Sequence, residues 1–212
     1  MMMKTKHIST IVLVVLSLTS CGNSEKKEKT DSEAVPVGMH EAKTETVKAS
    51  EQNDIDLKQR GDYTQLYAES EDCKLTISQL AKALGYNDNQ VEEQSNYQGS
   101  CWYKVTHPDN FTVNYGISLE KWGDKAIVED QIKSGLKNDL IDVQVSESGD
   151  TYLKRHPVQG FVLLLNSNYG NPIKISNSYL NTNGHKLTEA QKEERKQNTY
   201  KIANYLINAY KN

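Results

Sequence analysis

The chain carries 25 Lys and Arg against 28 Asp and Glu over 212 residues, and 36% of it is hydrophobic. A net charge of −3 with no block of like sign offers no basic face for nucleic acid and no polybasic patch for an anionic bilayer. The composition suits one modest globular domain with a polar tail, and no apolar run reaches the roughly 20 residues of a permanent membrane-spanning helix.

Lys4 and Lys6 give the N-terminus a positive start. An apolar run from Ile8 to Leu18 follows, and small Thr19 and Ser20 lead into Cys21. Together these read as a cleaved secretory signal over residues 1–20. The tetrad Leu18-Thr19-Ser20-Cys21 resembles the lipobox of bacterial lipoproteins. The resemblance implies that Cys21 receives a diacylglyceryl group and becomes the first mature residue. Acyl chains then hold the protein on a membrane, each buried CH₂ contributing about 0.8 kcal/mol. It also implies a bacterial cell-envelope location facing the periplasm or the cell exterior. Losing the two signal lysines leaves 23 basic side chains against 28 acidic ones, a net −5. Residues 21–59 are rich in Lys, Glu, Ser and Thr and cannot bury enough surface to repay ordering, so they read as a lipidated, disordered tether.

Residues 60–212 read as a single α+β domain. Thr76-Ile77-Ser78-Gln79 is a capping box, Leu75 and Leu80 stand at the staple positions, and Gly85 is placed to stop the helix. Its apolar face is Ile77, Leu80, Ala81 and Leu84. After a polar stretch, Cys101 to Thr106 reads as a strand and His107-Pro108-Asp109-Asn110 as a turn. Phe111, Val113, Tyr115, Ile117 and Leu119 then alternate with polar or small residues, a half-buried strand completing a hairpin. Asp124 to Asn138 is helical in pattern, weakened by Gly135. Ile141 to Val145 and Tyr152-Leu153 read as short strands. The run Phe161 to Leu165 is a mid-sheet strand covered on both faces, with a hairpin partner at Ile173 and Ile175 beyond the turn at 166–172. A second capping box, Thr188 to Gln191, opens a long helix with a stripe of Ile202, Ala203, Leu206, Ala209 and Tyr210; the charged run Lys192 to Lys196 is a solvated face. Hairpins with few crossovers predict an antiparallel sheet with helices packed on it.

With Cys21 assigned to lipid, Cys73 and Cys101 form an even pair in an exported chain and read as a disulfide. It closes a loop of about 28 residues and contributes about 3–4 kcal/mol. A two-Cys metal site is the rival, but the spacing lacks a C-x-x-C knuckle and the nearest His, His107, stands alone. Cys73-Lys74-Leu75-Thr76, Ala83-Leu84-Gly85 and Gly99-Ser100-Cys101-Trp102-Tyr103 resemble small envelope lipoproteins of PsbP-like fold. That resemblance covers residues 73–103 and implies a binding or accessory module.

No catalytic constellation stands out, and no cofactor or metal motif is present. His107 and His156 each precede a Pro and read as ordinary surface histidines in turns. Ser134-Gly135-Leu136-Lys137 fits S-x-x-K without its companion elements. Trp102, Tyr103 and Trp122 are the candidate binding surface, because aromatic rings on an open sheet face can stack on a sugar or pack against a partner. The expected function is therefore a membrane-anchored, non-catalytic binding or accessory module with an envelope protein or glycan partner. The alternatives are a hydrolase assembled only in three dimensions, with acid pairs or His107 and His156, and a structural subunit of an envelope complex.

Overall fold

A computed structural model describes residues 61–179 and 186–212. The expected signal, the expected lipidation site Cys21 and the expected tether lie outside the described residues. Among the described residues four α-helices, one 3-10 turn (Asp88–Gln90) and seven strands occur: α1 (Thr64–Tyr67), α2 (Ile77–Leu84), β1 (Val91–Tyr97), β2 (Ser100–Thr106), β3 (Thr112–Leu119), α3 (Lys125–Leu136), β4 (Val143–Val145), β5 (Tyr152–Arg155), β6 (Val162–Leu165), β7 (Ile173–Ser178) and α4 (Glu189–Tyr210). The strands form one sheet in the order β1-β2-β3-β7-β6-β5-β4, antiparallel at every pairing. The domain is therefore α+β. Its chain draws one meander, β1 to β3, crosses through α3 to the far edge, and returns through β4 to β7 until β7 pairs with β3.

Local chemistry accounts for most boundaries. The Thr76 hydroxyl accepts from the Gln79 N–H while the Gln79 side chain accepts from the Thr76 N–H, and Gly85 closes α2 in the left-handed conformation. Thr188 and Gln191 do the same at the start of α4. Asp124 caps α3 through the Ala126 N–H. Gly135 has a reason to be in α3: a Cβ there would meet Val143 Cγ2 at 2.8 Å, so the glycine lets the helix approach β4. Two features depart from the sequence reading. The polar stretch before Cys101 is itself a strand, β1, exposed at every residue after Val91. It lies at the sheet edge, where Glu92 and Glu93 need no apolar alternation and discourage pairing with another chain. In α4 the buried stripe includes Ile207, while Ala209 is exposed.

Two cores flank the sheet. The larger lies between the sheet and α1, α2 and α4, and includes Leu66, Leu80, Leu84, Tyr103, Val113, Tyr115, Ile175, Ile202 and Leu206. The smaller joins Val128 and Ile132 of α3 to Tyr152, Leu163 and Leu165 on the opposite face. All four residues of β6 are buried, as expected for a strand covered on both sides. Cys73 and Cys101 form a disulfide with Cα atoms 5.7 Å apart, joining the approach to α2 to the start of β2.

The chain ends of the domain are fastened together by polar groups. Asp150, with no exposed side-chain surface, accepts from Tyr63 Oη at 3.0 Å, Ser148 Oγ at 2.6 Å and Thr151 Oγ1 at 3.3 Å, and pairs with Lys211 at 3.4 Å. Tyr210 Oη donates to the Lys74 carbonyl at 2.9 Å. Lys74 is itself buried, its ammonium capping the end of α1 through the Gln65 and Ala68 carbonyls. Among the described residues no helix is long and apolar enough to cross a membrane.

Candidate binding surface

Because α3 packs on β5 and β6, it leaves the same side of β1, β2, β3 and part of β7 without a described helix over it. Strand alternation dictates what that side shows. Cys101, Tyr103 and Val105 turn into the larger core, so Ser100, Trp102, Lys104 and Thr106 turn the other way. Cross-strand pairing carries the pattern outward: Ser95, Trp102, Gly116 and Ser176 lie in one row, and Glu92, Lys104, Asn114 and Ser178 in the next.

Trp102 is half-buried and lies flat on the backbone of Gly116. A Cβ at Gly116 would meet three indole carbons at 2.7 to 2.8 Å, so only glycine lets the ring settle there. The charges nearby are already used. Lys104 pairs with Glu92 at 3.3 Å, and Lys174 pairs with Glu120 at 3.4 Å while its ammonium sits over the Phe161 ring. What remains is an aromatic plate with its lower face supported, surrounded by neutral Ser hydroxyls and the Asn114 amide. Such a surface can stack on the apolar face of a ring and exchange hydrogen bonds with hydroxyls of the same ligand.

The sequence-predicted residues part company here. Tyr103 is fully buried, its hydroxyl donating to the Leu75 carbonyl, and burial pushes its pKa up to about 12. It belongs to the core and not to a binding surface, because it shares the inward parity of Cys101. Trp122 packs against the small core beneath α3. Trp102 alone of the three presents its ring to the uncovered face.

The histidines are not an adjacent pair. His156 lies against Phe161 on the α3 side, and its Nδ1 accepts from the Val158 and Gln159 N–H groups. His107 is the larger departure: predicted as a surface residue, it is 1% exposed. Its ring stacks on Phe111 at 4.0 Å beneath α4. Nδ1 stands 3.0 Å from a Glu194 carboxylate oxygen and 3.2 Å from Tyr86 Oη, and Tyr86 donates to the same Glu194 at 2.7 Å. Burial first, then the bond to Glu194, pushes the Tyr86 phenol up to about 12. Glu194, Arg195 and Lys196 are accordingly half-buried, which corrects the reading of this run as a solvated face. Stepping back four residues at a time from Leu206 and Ile202 reaches Asn198 and Glu194, so helical periodicity held the signal for this contact.

Ser134 of the S-x-x-K match meets a different lysine. Lys154 Nζ lies 3.4 Å from Ser134 Oγ but also donates to the Gln131 carbonyl at 2.9 Å and to Gln131 Oε1 at 2.7 Å. With three acceptors around it, this ammonium pins α3 to β5. A cleft of about 360 Å³ opens between the segment after α1 and the β1–β2 turn, lined by Glu69, Glu71, Lys74, Gln98, Gly99 and Lys121. Glu69 and Lys121 pair across it at 3.3 Å. Among the described residues no group of three or more His, Cys, Asp or Glu side chains is disposed to hold a metal ion. No protein family, curated protein or solved structure matches the chain.

Proposed function

We propose that this protein is a lipid-anchored bacterial envelope lipoprotein whose folded domain binds a glycan without transforming it. The anchor rests on the lipobox resemblance of Leu18-Thr19-Ser20-Cys21. It places the domain on a membrane surface facing the periplasm or the cell exterior, within reach of wall polysaccharide. The observation that carries the binding reading is Trp102 laid flat on Gly116 on an uncovered sheet face, ringed by neutral hydroxyl and amide groups. A protein partner would be better served by an apolar or charged patch. This face has neither, since its lysines are paired and its small side chains are polar. The resemblance of residues 73–103 to envelope lipoproteins of PsbP-like fold supports a binding role as well.

The test is co-sedimentation of the full chain with purified insoluble wall polysaccharide. Wild type should pellet in a saturable way, and Trp102→Ala should weaken binding at least about tenfold with an unchanged circular dichroism spectrum. Wild type staying in the supernatant, or Trp102→Ala binding equally well, would refute the glycan reading. The anchor is tested separately: Cys21→Ser should abolish palmitate labelling and release the protein from membranes.

A further inference from the structure

Arginine is scarce in this chain. Of 25 basic side chains only three are Arg, at positions 60, 155 and 195. Two of the three come to one corner of the larger core, where α4 packs on β6 and β7. Arg155 follows Leu153 and Lys154 on β5, and since Leu153 faces that core and Lys154 faces α3, strand parity turns Arg155 toward α4. Its Nη2 lies 3.1 Å from where a Gly160 Cβ would sit, and Asn177 Nδ2 lies 4.0 Å from the same point. Asn177 pairs across the sheet with Tyr115 and donates to the Gly160 carbonyl at 3.1 Å and to Thr199 Oγ1 of α4 at 3.1 Å. Arg195 stands one turn before Thr199, whose hydroxyl donates back to the Arg195 carbonyl at 2.9 Å.

Both guanidiniums are half-buried, and among the described residues neither has a carboxylate at ion-pair distance. The acids in this region are engaged elsewhere: Asp142 by Tyr200 at 2.9 Å and Lys196 at 3.1 Å, Glu194 by Tyr86 and His107. Burial draws Arg195 below its ordinary pKa and the Arg155 charge adds to this, against the opposing pull of the Tyr115 phenol. Five buried side-chain polar atoms among the described residues lack a hydrogen-bond partner, and three of them belong here: Arg155 Nε, Asn177 Oδ1 and Tyr115 Oη. Asn198 approaches the Tyr115 hydroxyl without reaching hydrogen-bond geometry. Buried polar groups in folded proteins are almost always satisfied, so three orphans in one corner call for a missing partner. A water can serve a single orphan, but it does not relieve two like charges.

We infer that this corner is an oxoanion site, which takes a phosphate group between Arg155 and Arg195 with the Tyr115 hydroxyl as a further donor. The planar guanidinium fork matches two oxygens of one phosphate, which explains Arg at these two positions in a chain that otherwise uses Lys. The orphan acceptor refines the choice. Asn177 Oδ1 can only receive a hydrogen bond. It favours an oxoanion that retains a proton, which hydrogen phosphate does and sulfate does not. The site lies on the sheet face opposite Trp102 and does not depend on glycan binding there.

The three Arg residues make the test direct. In the full chain labelled with ¹⁵N at arginine, three side-chain Nε–Hε resonances should appear, and Arg155→Gln and Arg195→Gln assign two of them. Inorganic phosphate at ~10 mM should move the Arg155 and Arg195 resonances and leave that of Arg60 still, with sodium sulfate at equal ionic strength at least about tenfold weaker. Each variant should abolish the response of the remaining partner. A response to inorganic phosphate alone assigns free phosphate as the ligand; an equal response to glycerol 3-phosphate assigns a phosphate carried on a larger molecule. If none of the resonances moves in the wild-type protein, or all three move alike in phosphate and sulfate, the site does not exist.

Discussion

Helix α4 meets the rest of the domain through polar groups at both ends, and the two ends are built to opposite standards. At its C-terminal end the charged groups all have counterparts, and among the described residues only the buried Tyr67 hydroxyl goes unmatched there: Asp150 collects three hydroxyls and the Lys211 ammonium, Tyr210 holds the Lys74 carbonyl, and Asn212 Nδ2 donates to Asp62 at 3.2 Å. Under its first half lie two half-buried guanidiniums that, among the described residues, have no carboxylate at ion-pair distance, and four buried atoms there have no partner among those residues. The same helix, crossing the same sheet, is thus welded at one end and incomplete at the other. Matched polar groups in a low-dielectric interior hold a fold together, whereas unmatched ones weaken it and persist where something else completes them. The difference separates a structural clasp from a place for a ligand.

Breaking the welded end should cost most. Replacing Cys73 and Cys101 by Ser, which releases the approach to α2 beside Lys74, should lower unfolding free energy by about 3–4 kcal/mol in chemical denaturation. Asp150→Ala should cost about 3 kcal/mol, since it strands the buried Tyr63 hydroxyl and leaves the Ser148 and Thr151 hydroxyls without their shared acceptor. The pH dependence follows from the same site. Burial alone would raise the Asp150 pKa, but the Ser148 and Tyr63 hydrogen bonds and the Lys211 charge outweigh it and hold the carboxyl below its ordinary 3.8. A carboxyl lowered on folding adds stability that is complete above its unfolded pKa and is lost as the pH falls through the folded value. The stability gap between wild type and Asp150→Asn should therefore be level above about pH 5 and close below about pH 4.

The sharpest contrast comes from one atom removed at each end. Tyr63→Phe deletes a hydroxyl bonded to a buried carboxylate and should cost about 1.5–3 kcal/mol. Tyr115→Phe deletes an orphan hydroxyl and, without ligand, should leave stability unchanged or raise it by up to about 1 kcal/mol. Equal losses from both variants, measured by urea denaturation, would erase the distinction drawn between the two ends. The smallest effect belongs to the start of the helix: Thr188→Ala removes the capping box and should cost about 1 kcal/mol.

Much of this architecture was legible in the residues. Both capping boxes, the helix stop at Gly85, the alternation of β3, the doubly covered β6 and the Cys73–Cys101 pair all follow from short-range rules. Strand β1 was not legible, since an exposed edge strand asks nothing apolar of Glu92 to Asn96. For the binding face, the outward parity of Trp102 could be read from its neighbours. The same parity already turned Tyr103 inward, a conclusion available from Cys101 beside it. The signal for His107 lay on another element, in the four-residue steps from Leu206 to Glu194.

What the linear chain determined here is local: where helices begin, which side of a strand is greasy, and which sulfur atoms are an even pair. These depend on residues within a turn or two of each other, where backbone geometry leaves few choices. Which side of the sheet is left without a described helix, what Trp102 rests on, and which arginines gather beneath α4 were settled only when α3 took one half of a face and α4 crossed the other side. Long-range packing chooses among many arrangements of the same elements, and an unmatched charge becomes visible only once every possible counterpart has been placed.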